Sequence, residues 1–285
     1  MEETSMEPSR LCKEFARILN STPSVVNGVC TATRFRSNIH PVVLGRRAEA
    51  FPFIPQAFSF RSMDREGRAL CLGETVLLQE EVNPLMSELR KFGIIVTAVH
   101  NHWLFDKPRL MFMHFESIDK PLNFARKVRE ALRVLTTKTV RAVPKTDGEM
   151  IERHGLCDEF NDILGGTMHT FENGICTVMR SRTNIKPVVL GRPGRSFLLI
   201  PQMFSFESMT KDGRALCSGE TVILQKEINP FISVLRKHDL IVTSLHNHWL
   251  FDKPVNFALK VRDALKVLTD KEVKGLACFE VSKSD

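Results

Sequence analysis

The chain contains itself twice. Gly28 to Pro108 aligns with Gly174 to Pro254 without a gap at an offset of 146, and 52 of the 81 aligned positions are identical. Identity of that extent constrains the fold before any element is assigned, because whatever one copy builds the other must nearly share. A length of 285 residues suits two domains of ordinary size, expected at 1–140 and 150–285. With 43% hydrophobic and 26% charged residues, both copies have the composition of globular domains. Segment 136–150, TTKTVRAVPKTDGEM, is polar and carries Pro144 and Gly148, so it reads as the linker.

The copies part after a shared HNHWLFDKP. Copy one continues RLMFMHFESIDKP before LNFARKVREAL, whereas copy two runs directly into VNFALKVRDAL, so thirteen residues, Arg109 to Pro121, have no counterpart. The gap is flanked by identical DKP tripeptides, as a deletion across a short direct repeat would leave it. Because LMFMHFE reads as a strand, copy two is expected to lack one strand.

Within a copy, Leu11, Phe15, Ile18 and Leu19 have helical spacing. Asn27-Gly28 is a turn signal, and short strands follow around CTATRFR, PVVLG, AFSFRSM and ALCLGETVLL. Val82, Leu85, Met86 and Leu89 form a helical stripe that ends near Gly93. Strands IIVTAVHNH and LMFMHFE and a helix from Leu122 to Leu135 complete the copy. The fold class is therefore α+β: two tandem homologous domains, each a mostly antiparallel or mixed sheet covered by helices on one face.

Alternate side chains of a strand share a face, so His100 and His102 project together and Asn101 opposes them. His114 and Glu116 share a face of the next strand. Three neutral imidazoles with an open position are the ligand set of catalytic zinc, and a carboxylate beside them also suits iron or manganese. His100 faces His114 directly only if paired residue numbers sum to 214, which leaves a loop of about nine residues, Trp103 to Met111. A tight turn at Phe105-Asp106 would carry His114 away from the pair. An HNH that merely caps a sheet edge is the competing reading, and it predicts no difference between the copies. Copy two keeps His246, Asn247 and His248 but has no match for His114 or Glu116, so a metal-binding cluster should be weak or absent there.

Glu81 and Glu227 start matching helices. They read either as carboxylates favoured by the helix dipole or as an acid or base for the histidines. Glu74 and Glu220, in GETV, are open to the same two readings. Arg34 and Arg36, matched by Arg180 and Arg182, alternate on a strand and read as a carboxylate- or phosphate-binding pair or as a solvated face. Arg46 and Arg192 follow VVLG turns. Seven cysteines without a CxxC pair argue against a zinc ribbon or a disulfide framework and read as buried thiols. A net charge of +7 without a dense basic stripe makes nucleic acid an unexpected partner. The first thirty residues show no secretory pattern and no run approaches a membrane span, so a cytoplasmic location is the default expectation. No P-loop, GxGxxG or GxSxG is present, which disfavours nucleotide-dependent and serine-hydrolase chemistry.

The stretch GETVLLQEEVNPLMSELRKFGIIVTAVHNHWLFDKPRLMFMHFESID resembles the DUF1259 family, also called LppY/LpqO-like after mycobacterial lipoproteins. Members look like one copy of this domain, with an EVNP helix, an HNH strand and a PR-x-x-FMH strand. Carried over residue by residue, the resemblance points to Glu81, Asn83, His100, Asn101, His102, Arg109 and His114. It implies no activity, because the family's function is unassigned. Two readings follow. In one, His100, His102 and His114 hold a divalent metal, with Glu81 or Glu116 managing protons for hydrolysis and copy two a stabilising pseudo-domain. In the other, the copies bind a small anionic ligand without catalysis through Asn101, Arg109, Arg34 and Arg36. Either way the copies are expected to pack as an internal pseudo-dimer, with homo-oligomers also open.

Overall fold

Local sequence decides where the chain turns. Asn27 and Gly28 both adopt left-handed backbone, φ 53° and 69°, and so form the two-residue hairpin that pairs Val26 with Val29. Asn173 and Gly174 repeat it in copy two with φ 52° and 74°. The computed structural model describes residues 6–145, 151–152, 154–250, 252–253 and 256–263.

Copy one runs α1 (Arg10–Ile18), β1 (Thr22–Val26), β2 (Val29–Phe35), the short strands β3 (Ile39–His40), β4 (Val42–Val43) and β5 (Arg46–Arg47), then β6 (Pro55–Arg61), β7 (Ala69–Leu78) and α2 (Val82–Lys91). It ends with β8 (Ile95–His100), β9 (Asp106–Lys107), β10 (Leu110–Asp119), α3 (Pro121–Ala131) and β11 (Val140–Arg141). Copy two runs α4 (His154–Leu164), β12 (Met168–Glu172), β13 (Ile175–Ser181), β14 (Val188–Val189), β15 (Arg192–Pro193), β16 (Pro201–Glu207) and β17 (Leu216–Leu224). Then come α5 (Ile228–Lys237), β18 (Ile241–His246), β19 (Asp252–Lys253) and β20 (Asn256–Asp263). The large sheets have the orders β1-β2-β6-β7-β10-β8 and β12-β13-β16-β17-β20-β18, and every pairing in them is antiparallel. This is the α+β class expected, with tandem sheets covered by helices.

Strand alternation gives each sheet two faces. In copy one, Cys71 and Leu77 of β7 and Met113 and Phe115 of β10 pack with Phe15, Leu85, Leu89, Phe124 and Val128 of the helices. The other face carries Val76, Leu78, Leu110 and Phe112, joined by Phe53, Trp103 and, from copy two, Leu216. Leu70 and Leu72 of that same face pack with Leu198, Val222 and Trp249 of copy two. The helix-free faces of the two sheets thus form one continuous interlayer.

Several polar contacts across this interlayer are reciprocal, as expected when one surface meets its own copy. Thr97 Oγ1 donates to the His248 carbonyl at 2.6 Å, and Thr243 Oγ1 to the His102 carbonyl at 2.7 Å. Arg46 donates to the carbonyls of Ser208 and Arg214, and Arg192 to those of Ser62 and Arg68. Ser62 Oγ reaches the Pro193 carbonyl and Ser208 Oγ that of Arg47. Each pair is related to the other by the repeat offset. The first part of the linker stays on copy one, where β11 pairs in parallel with β3. Residues 146–150 lie outside the described residues.

Two expectations are corrected. Copy two does not lack the strand: β20 fills the slot between β17 and β18, pairing Asn256 with Leu224 and Lys260 with Glu220, as β10 pairs Leu110 with Leu78 and His114 with Glu74. Its sequence is the counterpart of α3, recruited because the empty slot would leave two strand edges without a partner. The cysteines are not all thiols: Cys12 is bonded to Cys30 and Cys157 to Cys176. CxxC spacing is blind to these pairs, since packing a helix against a hairpin brings together cysteines 18 and 19 residues apart. Closing loops of that size contributes about 3 kcal/mol each in the chain-entropy account. Cys71 remains a buried thiol, its pKa pushed up to about 12 chiefly by burial, which makes it inert as a nucleophile.

Candidate functional site

β8 and β10 are neighbours, but His100 lies opposite Phe112 and not opposite His114. The stricter register condition is therefore not met. His114 instead sits two residues further along the same face, the diagonal position whose side chain still reaches its neighbour. The His100 and His114 ring centroids are 5.0 Å apart. Past the end of β8 the chain leaves the sheet at Asn101, whose Nδ2 donates to the Trp103 carbonyl at 3.1 Å. That clamp turns His102 back, so its Nε2 lies 3.0 Å from His100 Nε2 and its ring stacks on Phe112 at 3.4 Å. Trp103, fully buried against Phe53, anchors the turn.

Copy two repeats the device, and the two meet. Asn247 holds the Trp249 carbonyl, and His246 Nε2 lies 2.8 Å from His248 Nε2. Each HNH turn is pinned by the other copy's threonine, Thr97 or Thr243. As a result His100 lies against His246 with ring centroids 3.5 Å apart and planes tilted by 32°, and His114 stacks on His248 at 3.8 Å. Ligating nitrogens of His100, His102, His246 and His248 all lie within 4.8 Å of one another. Four nitrogens bound to one zinc ion at 2.0–2.1 Å would sit about 3.3 Å apart, so the widest pairs close by up to about 1.5 Å when they share an ion.

A second group joins the first. Donor atoms of Glu74, His102 and His114 lie within 4.8 Å of one another, all three residues buried. The triad His100, His102 and His114 expected from the sequence is thus divided: His100 goes with the second copy's histidines, His114 with Glu74, and His102 belongs to both. Glu116 is fully buried two positions beyond His114 on the same face. Glu74 is the member that reaches outward, with 11% of its side chain exposed, into a narrow cleft between the copies with room for about one water. Phe51, Phe197, Leu198 and Met203 wall that cleft, with Glu74 on one side and Glu220 on the other.

Other expected residues stand elsewhere. Glu81 receives Arg36 through both oxygens, at 3.0 Å for Nη2 to Oε1, together with the backbone N–H groups of Leu78 and Thr136. It ties the α2 entry to the sheet and is engaged by no histidine in these contacts. Copy two repeats the pair as Arg182–Glu227, whose carboxyl is held below its ordinary range chiefly by the arginine's hydrogen bond. Arg34 donates to Gln56 and the Leu19 carbonyl, so neither arginine of the expected anion-binding pair is presented to a ligand. Burial lowers the Arg34 pKa, with Arg36 adding to the shift. Arg109 pairs with Asp106 at 3.3 Å and donates to the Trp103 carbonyl, supporting the HNH turn from outside.

The sequence expectation leaves His246 and His248 in a copy that binds metal weakly or not at all, and it omits Thr97 and Thr243. Identity between the copies is the signal for all four: IVT at 95–97 and 241–243 and HNHWLFDKP after it are unchanged in both. A family model described as Domain of Unknown Function (DUF1259) matches residues 13–134 and 158–265. No curated protein and no solved structure matches the chain.

Proposed function

The chain belongs to the DUF1259 family, with two tandem copies of its domain, and from that premise we propose that it is a divalent-metal-binding protein whose ion sits between the copies on His100, His102, His246 and His248. The observation that carries this reading is the approach of four ligating nitrogens, two from each copy, to within 4.8 Å. An all-imidazole set suits zinc first, with copper, iron or nickel compatible by donor type. Four protein ligands close a tetrahedral site, so this ion is structural and clamps the copies into an internal pseudo-dimer. Copy two then becomes half of the site rather than a spare domain. Matching disulfides in both copies favour an oxidising compartment over the cytoplasm for such a protein. The anion-binding alternative loses its support because Arg34 and Arg36 are both engaged internally.

Elemental analysis of protein purified without a histidine tag and dialysed against zinc tests the reading. The wild type should retain the metal after removal of excess, and His246→Ala should lose one equivalent just as His100→Ala does. A wild type that retains no transition metal, or a His246→Ala variant that retains all of it, would overturn the proposal.

A further inference from the structure

We infer that copy one alone carries a second, open metal position formed by Glu74, His102 and His114, whose open side faces the narrow cleft between the copies and takes a water. The inference rests on the metal reading above but concerns different residues. Two imidazoles and a carboxylate with a vacant fourth position are a donor set of hydrolytic zinc, in contrast to the closed set of four histidines beside it. An imidazole has two ring nitrogens, and His102 turns Nε2 toward His100. It can therefore serve both positions if it gives up its remaining proton.

Placement supports function at this position. His102 and His114 are fully buried, while Glu74 is partly exposed to the cleft, so the open side of the site faces the cleft. The cleft walls are aromatic and aliphatic, and the charges on them, Glu74 and Glu220, are both negative. Those charges disfavour anions, and the space between the walls holds about one water, the ligand that completes an open zinc position.

The geometry also explains why the site is single. The register position of His114 is held in copy two by Lys260, opposite Glu220. No imidazole stands there.

Two measurements test this. Zinc content of the full chain should fall in Glu74→Gln and in His114→Asn while His246-dependent metal stays, and Glu220→Gln should lose none. In cobalt-substituted protein, the visible absorption of a second cobalt ion should be present in the wild type and in His246→Ala and absent in Glu74→Gln. Circular dichroism identifies any variant that fails to fold, and the conservative Glu74→Gln change then carries the test. Metal content and cobalt spectrum unchanged in folded Glu74→Gln would overturn the inference while leaving the four-histidine reading intact. Loss of one metal equivalent in His246→Ala with the second cobalt absorption retained would support both.

Discussion

β10 and β20 occupy the same slot in their sheets and are built from unrelated pieces of the repeat. β10 is LMFMHFESID, present only in copy one, whereas β20 is NFALKVRD, whose counterpart in copy one is helix α3. Both pair at the same register, so the sheet dictates the slot and recruits whatever segment follows. The recruited segment differs from the α3 sequence at one telling position. Leu259 stands where copy one has Arg126, which turns Phe-Ala-Arg-Lys-Val into Phe-Ala-Leu-Lys-Val and creates strand alternation at Phe257, Leu259 and Val261. Those residues take the register positions of Met111, Met113 and Phe115. Chemistry is what the exchange removes: His114 and Glu116 give way to Lys260 and Arg262.

The largest effect should come from reversing that exchange. Inserting RLMFMHFESIDKP after Pro254 restores the missing segment, and the displaced VNFALKVRDAL should return to helix. The new histidine would pair with Glu220 beside His248, giving copy two its own open site. Far-UV circular dichroism should gain about three turns of helix, and zinc content should rise by one equivalent. No gain in helix would mean that β20 is set by its own sequence and not by the vacancy.

The duplication, the α+β class and most element positions were legible from period and identity alone. ALCLGETVLL became β7 without adjustment, and the Leu122 helix became α3. The β20 exchange was not legible, because Phe257 and Val261 satisfy helix and strand spacing equally and only the empty slot decides. The four-histidine junction was hidden for another reason. Strand alternation relates residues within one copy, and nothing in a single strand reports that its face meets a second copy of itself. The expected catalytic role of Glu81 drew on its place near a helix start, whereas its partner is Arg36, 45 residues away.

A second asymmetry between the copies lies in Glu207, which stands on β16 where copy one has Arg61 on β6. Its carboxylate crosses the interlayer to accept the backbone N–H groups of Glu49 at 2.6 Å and Ala50 at 3.0 Å. Burial pushes its pKa up to about 8 from 4.5; the two amides pull it down and the charge of Glu49 adds to the rise. The folded protein therefore keeps a proton that the unfolded chain has released. Its contribution to stability is complete below pH 4.5 and is lost as pH rises toward 8, by up to about 1.4 kcal/mol per unit. Denaturant melts of the wild type and Glu207→Gln at pH 5, 6.5 and 8 should show that slope in the first and not in the second. Equal slopes would place the titration elsewhere.

The smallest contrast concerns the glycine before each cleft glutamate. Gly73 lies opposite Phe115, and a Cβ on it would fall 2.1 Å from the ring, inside a core closed by Phe58 and Phe124. Gly219 lies opposite Val261 of β20, and its nearest contact for a Cβ is Phe204 at 3.0 Å. Overpacking a filled core typically costs about 1–3 kcal/mol, so Gly73→Ala should fall in that range and displace Glu74 from its histidines. Gly219→Ala needs a shift of only a few tenths of an ångström and should cost less than about 1 kcal/mol. Urea midpoints order the two variants, and zinc content separates them further, because only the first shift reaches Glu74 of the proposed open position. Equal costs would mean that the aromatic lid over β7 is no tighter than the one over β17, and that the copies differ in their ligands alone.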